Sequence, residues 1–282
     1  MTAAPLTAND AVLFEVDGPV ARLTLNRPAA MNSLSPDLLA GMGGALAAAV
    51  AASCAVLVIR GAGRALSAGA DLKYLRSCLG DPGRVRDYIT SIGTVFDAIE
   101  AAPIVSVCVV DGFAVAGGCE LMLACDIAIA STAAQIGDRH LEYGLLPGAG
   151  GSVRLTRALP PAVAARLCYT ADFIDGTAAA VYGLVSTAVP AAELDTQVNQ
   201  VVARLARHSL PAVQAMKHLL HNAAVKPAVD ALADEREVLL RHLNSPTVAE
   251  GLTAFAERRP PDFRELRDPA FAHPTQPEGL EL

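Results

Sequence analysis

Residues 104–124 read IVSVCVVDGFAVAGGCELMLA, and the reading of this stretch decides the fold class. Ile104–Val110 is a continuous apolar run, rich in β-branched residues and closed by Asp111-Gly112. That pattern predicts a buried strand. Gly117–Ala124 then reads as a short helix, reached through small residues. The same order recurs upstream, where Ala55–Arg60 (AVLVIR) is a buried strand and Ser67-Ala68-Gly69-Ala70-Asp71-Leu72 leads into a helix-like run. Further out, Val85–Ala101 and Gly150–Leu159 read as helices and Asp126–Ala130 as a strand. Near the start, Ala11–Val16 and Val20–Asn26 flank Asp17-Gly18, a hairpin signal. Pro28 ends the second of these strands. Ser35 supplies an N-cap and Pro36 a first-turn proline for a helix to about Ala52. Strands alternating with helices predict an α/β core with largely parallel pairing.

After Asp175-Gly176 the texture changes. A short strand, Leu184–Val189, precedes four helical patterns at Ala191–Arg207, Leu210–Ala223, Val229–Leu243 and Thr247–Arg258. The organisation expected is a core over residues 1–200, a helical region over 201–266 and a mobile, proline-bearing tail over 267–282.

The chain has 282 residues, 52% hydrophobic and 18% charged, with no Trp. Its mean hydropathy of +0.38 excludes a disordered chain, which lacks the apolar surface to offset ordering entropy. The longest near-apolar run, Ala45–Ile59, is broken by Ser53 and falls short of the roughly 20 residues a membrane span needs. Met1–Asp10 has neither a basic nor an apolar segment of a secretory signal, so a cytoplasmic protein without a membrane partner is expected. A net charge of −7 argues against nucleic acid. The six cysteines form no CxxC pair and sit mostly in apolar runs, as small buried hydrophobes do.

Several motifs fail on inspection. Gly61-Ala-Gly63-Arg-Ala-Leu66 lacks the third glycine of a dinucleotide fingerprint, and Gly148-Ala-Gly-Gly151 lacks the Lys-Ser/Thr of a phosphate loop. Ala65-Leu-Ser67-Ala-Gly69 misses the first glycine of a nucleophile elbow. His218 and His221 share a helix without a third ligand nearby. What holds is the pair of small-residue junctions around Ala70 and Gly117. Backbone N–H groups at two such sites form an oxyanion hole when they converge on one oxygen. Each alone is also compatible with a tight turn, and spacing leaves their convergence open.

Ordered blocks along the chain resemble the crotonase superfamily, the enoyl-CoA hydratase/isomerase family. They are Leu25–Pro28 with Asn32–Leu34, Arg64–Lys73, Asp111–Leu121, Ala124–Asp126, Gly144–Gly151 and Glu250–Arg259. The resemblance implies a crotonase-type spiral of ββα units with a C-terminal helical region that mediates trimers, often paired into hexamers. It also implies that the N–H groups of Ala70 and Gly117 grip the thioester carbonyl of an acyl-CoA. Arg64, Ala68, Asp71, Leu72, Lys73 and Arg258 match CoA-contacting positions. Tyr74, Leu75, Cys78 and Leu79 would shape an apolar acyl pocket. No metal or redox cofactor is implied, since coenzyme A arrives within the substrate.

The resemblance breaks at one catalytic position. Glu120 matches the first of two carboxylates that family hydratases use, but the ungapped match places His140 where the second belongs. His140 can serve as acid or base, orient a polar group of the substrate, or pack against the wall. Asp138 and Glu142 are the nearest alternative carboxylates. The expected function is hydration of a trans-2-enoyl-CoA. The alternatives are isomerisation, decarboxylation, thioester hydrolysis or carbon–carbon cleavage using Glu120 and His140, or acyl-CoA binding without turnover.

Overall fold

Residues 10–263 are described by the computed structural model. The tail assigned to 267–282 lies outside them, as does most of the N-terminal stretch read for a signal.

The hairpin forms as the Asp17-Gly18 signal predicts: β1 (Val12–Asp17) pairs antiparallel with β2 (Val20–Leu25), and Gly18 takes a φ of 55° in the turn. Helix α1 (Pro36–Ala51) follows, with the Ser35 side chain accepting the Leu38 N–H. Three strand pairs come next, each dividing a longer strand from a short one. They are β3 (Val56–Gly61) with β4 (Ala65–Ser67), β5 (Val105–Val110) with β6 (Phe113–Val115), and β7 (Ile127–Ser131) with β8 (Gln135–Gly137). Between the first two pairs lie α2 (Leu72–Cys78) and α3 (Pro82–Ala101). Helix α4 (Gly117–Leu123) joins the second pair to the third.

Helices α5 (Gly151–Ala158) and α6 (Pro161–Thr170) lead to β9 (Ile174–Asp175), α7 (Gly176–Val181) and β10 (Thr187–Val189). The chain closes with α8 (Ala191–Leu205), α9 (Leu210–Val225), α10 (Ala228–His242) and α11 (Pro246–Glu257). The longer strands, with the three-residue β10 at one edge, build a six-stranded sheet, β1-β2-β3-β5-β7-β10, parallel except at its first pair. The short ones build a second sheet, β4-β6-β8-β9. Each repeat therefore climbs from one sheet to the other.

β5 is buried along its whole length, which is why its sequence does not alternate. Cys108 and Val110 join the main core, while Val105, Val107 and Val109 pack with Leu194, Val198 and Val202 of α8. The expected division at residue 200 thus falls inside α8, a helix that covers the sheet and belongs with the core. The next helix, α9, is tied to the core by Lys217. Although only 8% exposed, its ammonium donates to Ile104 O at 2.8 Å, Ile99 O at 3.1 Å and Asp126 Oδ2 at 2.8 Å.

Candidate active site

The two small-residue junctions meet. A Cβ placed on Gly117 would lie 2.9 Å from Leu34 Cδ1, 3.0 Å from Gly69 Cα and 3.4 Å from Ala70 N, and one on Gly118 would lie 2.0 Å from Ser67 O. Only glycine permits this approach, so the proximity of the two junctions is built into the packing. An isolated parallel bridge joins Leu34 to Ala70, with Leu34 N–H donating to Gly69 O at 2.9 Å. The Tyr88 hydroxyl completes that bridge, donating to Leu34 O at 2.6 Å and accepting Asp71 N–H at 2.7 Å. In such a bridge the flanking Gly69 and Asp71 groups face Leu34, so the N–H of Ala70 faces the other way. Across the junction, Ala116 takes φ 49° and ψ −117°, sparse territory for a residue with a Cβ. This ψ fixes the plane of the next peptide and so the direction of the Gly117 N–H. Among the described residues neither amide has a recorded acceptor.

Burial lifts the Tyr88 hydroxyl to about 12, opposed by the Asp71 N–H bond and reinforced by nearby negative charge. Asp71 caps α2, accepting the Tyr74 N–H at 3.1 Å, and its other oxygen pairs with Arg27 at 3.1 Å. Burial alone would raise the Asp71 carboxyl, but the Tyr74 bond and the Arg27 guanidinium outweigh it and hold the group below its ordinary range.

Glu120 sits on the first turn of α4 at 3% exposure. Its Oε1 accepts two backbone N–H bonds, from Ala149 at 2.9 Å and Gly151 at 2.8 Å. The glycine run that fails as a phosphate loop therefore holds a carboxylate. Oε2 faces His140, whose Nε2 is 3.8 Å away. The other ring nitrogen of His140, Nδ1, donates to Asp138 Oδ2 at 3.0 Å. Asp138 and His140 are 4% and 9% exposed. The three side chains form a buried row, Asp138–His140–Glu120.

Arg139 turns His140 inward. It adopts a left-handed conformation (φ 54°), donates to Ala171 O at 2.7 Å and lies 4.5 Å from the centre of the Phe173 ring. Glu142, the other alternative carboxylate, is half exposed and lies 3.5 Å from Arg139 rather than in the row. Burial, then the charges of Asp138 and Glu120, push the Cys119 thiol well up, so it stays protonated beside the site.

The residues matched to CoA contacts lie largely at the surface. Arg64 is exposed, 6.0 Å from the Phe113 ring centre, and Leu72 and Lys73 are exposed on the first turn of α2. Ala68 is half buried, and the Asp71 side chain is used in capping. Arg258 is exposed at the C-terminal end of α11. Of the residues expected around the acyl group, Tyr74 and Leu75 are half buried, Leu79 is exposed and Cys78 is fully buried. Sequence reasoning missed Tyr88 and the Ala149 and Gly151 amides. The glycines at 148, 150 and 151 were the available signal for the latter.

A family model described as enoyl-CoA hydratase/isomerase matches residues 15–266. The chain is 35% identical over 248 residues to the 2,3-dehydroadipyl-CoA hydratase of Escherichia coli K12, spanning 86% of this chain and 94% of that one. It is 32% identical over 258 residues to the crotonyl-CoA hydratase of Syntrophomonas wolfei, spanning 91% and 98%. The crystal structure of an enoyl-CoA hydratase from Mycobacterium smegmatis superposes with a TM-score of 0.86 at 29% identity, covering 90% of this chain and 99% of that one.

Proposed function

This chain belongs to the enoyl-CoA hydratase/isomerase family, with its crotonase-type spiral and C-terminal helices, and from that premise we propose that it adds water to a trans-2-enoyl-CoA. The observation that carries the reading is the facing pair of Glu120 Oε2 and His140 Nε2, 3.8 Å apart, next to the Ala70–Gly117 junction. In this reading the two backbone N–H groups bind the thioester oxygen. Glu120 Oε1 is already occupied as a double acceptor, so Oε2 takes a proton from water. The water oxygen bonds to C3, and the C2–C3 π electrons move through C2 onto the thioester oxygen, forming an enolate. Loss of one oxyanion donor costs about 2.7–4 kcal/mol in comparable sites. The proton held by Glu120 passes to the facing His140 Nε2, and the enolate collapses as C2 takes that proton from Nε2, which returns both groups to their starting state.

Asp138 is a positioning residue in this scheme. A carboxylate accepting Nδ1–H leaves Nε2 as the working nitrogen. This differs from its expected place as an alternative acid or base. Arg64, Lys73 and Arg258, with the backbone around Ala68, Asp71 and Leu72, would hold the CoA portion. No metal or redox cofactor enters the scheme. Six free cysteines support a reducing, cytoplasmic setting. The apolar side chains exposed on the late helices, Met216, Leu220, Leu252 and Phe255 among them, support burial against further copies as a trimer or hexamer.

The test is mass spectrometry of crotonyl-CoA and a longer trans-2-enoyl-CoA incubated with the protein in ¹⁸O-labelled water. A labelled 3-hydroxyacyl-CoA supports hydration. Free acid with free CoA, or a shifted double bond, replaces it with hydrolysis or isomerisation.

A further inference from the structure

We propose that Arg154 is a positioning residue that sets the orientation of the Glu120 carboxylate from outside the site, an inference that rests on Glu120 being the base that activates water. Arg154 projects from α5, and its guanidinium donates through Nη1 to Ala149 O at 2.7 Å. The same group grips α3, with Nε donating to Glu100 Oε2 at 3.0 Å and Nη2 to Asp97 Oδ1 at 2.8 Å. The Ala149 carbonyl belongs to the 149–150 peptide. The peptides on either side carry the two N–H groups that hold Glu120 Oε1. Fixing the middle peptide therefore fixes both donors at once.

Gly150 shows how tightly the guanidinium lies against this turn. Its φ is 101°, and a Cβ there would fall 2.1 Å from Arg154 Nη1. Burial alone would lower the Arg154 ionisation, but its bonds to Glu100 and Asp97 raise it instead, so the clamp is charged at every working pH. A lysine carries its three protons on one nitrogen and lacks the planar fork whose Nε, Nη1 and Nη2 each take a different one of these acceptors. The chain of contacts is thus α3, Arg154, the 149–150 peptide, two flanking amides and Glu120. Before Glu120 itself, nothing in it takes part in the proposed chemistry.

The test is a rate cycle of wild type, Arg154→Ala, Glu120→Gln and the double variant, read on whichever product the wild type forms from crotonyl-CoA. Expected for Arg154→Ala is a kcat about tenfold to a hundredfold lower, as a small misplacement of a reacting group gives, with KM changed by less than about threefold. In the Glu120→Gln background the same change should lower kcat by less than about twofold, because the group being positioned is gone. A general structural role would lower the rate equally in both backgrounds, and that additivity overturns the proposal. Gly150→Ala, which displaces the guanidinium without removing it, should reproduce the loss in kcat; wild-type kcat there also overturns it. Hydrogen exchange supplies a readout independent of turnover. Arg154→Ala should speed exchange at the Ala149 and Gly151 amides while β5 stays protected, and unchanged exchange at those two amides refutes the clamp. The wild-type product identifies the reaction separately, so failure of hydration and failure of the clamp are read on different measurements.

Discussion

Glu120 Oε2 and His140 Nε2 face each other at 3.8 Å, and each is tied down on its far side, one by two backbone amides and the other by Asp138. Neither member of the pair can turn away from the other without breaking buried hydrogen bonds. Restraint of this kind favours a single productive arrangement over several loose ones.

Asp138→Asn should keep the shape of the row but removes its charge and, with Oδ1 held by the His140 backbone N–H, turns an amide N–H towards Nδ1. The expected outcome is a fall in kcat of about 10²–10⁴, the range of general acid–base loss, with acyl-CoA affinity retained. Steady-state rates alongside calorimetric binding of a saturated acyl-CoA check this. A wild-type rate shows that the tautomer is immaterial.

His140→Glu restores the carboxylate that the family pattern calls for, yet it places three acidic groups in one buried space. Like charges at such distances disfavour one another. The single variant should therefore be less active than His140→Glu combined with Asp138→Asn, and both should fall below wild type. The reverse order of the two variants rules out Asp138 as the source of the conflict.

Glu120→Gln should abolish most turnover, by about 10²–10⁴, while leaving thioester binding near wild type. Parallel loss of binding would instead mark Glu120 as a strut for the 147–151 turn.

Tyr88→Phe removes two hydrogen bonds that flank Ala70 and should lower stability by about 1–3 kcal/mol. The hydroxyl titrates at about 12 in the folded protein, against about 10 in an unfolded chain. Its contribution is therefore complete below pH 10 and declines as pH rises from 10 towards 12, because only the unfolded chain ionises in that interval. Denaturant melts across this range should show a steeper decline for wild type than for the phenylalanine variant.

Lys217→Met leaves the Asp126 carboxylate and two backbone carbonyls without their cation. Asp126 keeps its bonds from Ser106 N and Oγ, both at 2.7 Å, and its side chain reaches solvent. The expected loss is about 1–3 kcal/mol, from the two backbone carbonyls left without a donor, measured by urea unfolding. Asp126→Asn added to Lys217→Met should recover little of it.

Much of this architecture was legible in the sequence. β5, α1 and the hairpin carry strong local signals: a continuous apolar run, a serine cap with a first-turn proline, and Asp-Gly. The short strands of the second sheet carry none. Two or three residues cannot show a period, and these strands exist because the longer ones deliver them to neighbouring positions. The site divides in the same way. Glu120, Ala70 and Gly117 stand in recognisable blocks, and His140 was found as the residue that breaks one. The bond from His140 to Asp138 could not be read, because residues two apart share a face in a strand and separate in a helix. Only the left-handed turn at Arg139 decides the matter. Tyr88 and Arg154 act across long stretches of chain, where sequence offers no pairing rule.

The cover that α8 lays over β5 has a consequence for synthesis. Val105, Val107 and Val109 pair with Leu194, Val198 and Val202, which emerge from the ribosome far later. At about 5–20 residues per second, the roughly 85 residues from Val109 to Leu194 take some 4–17 s to make. For that interval the growing chain carries a valine-rich sheet face with no partner of its own. Such an apolar face is what chaperones shield, and a chain truncated before α8 should aggregate where the full chain folds.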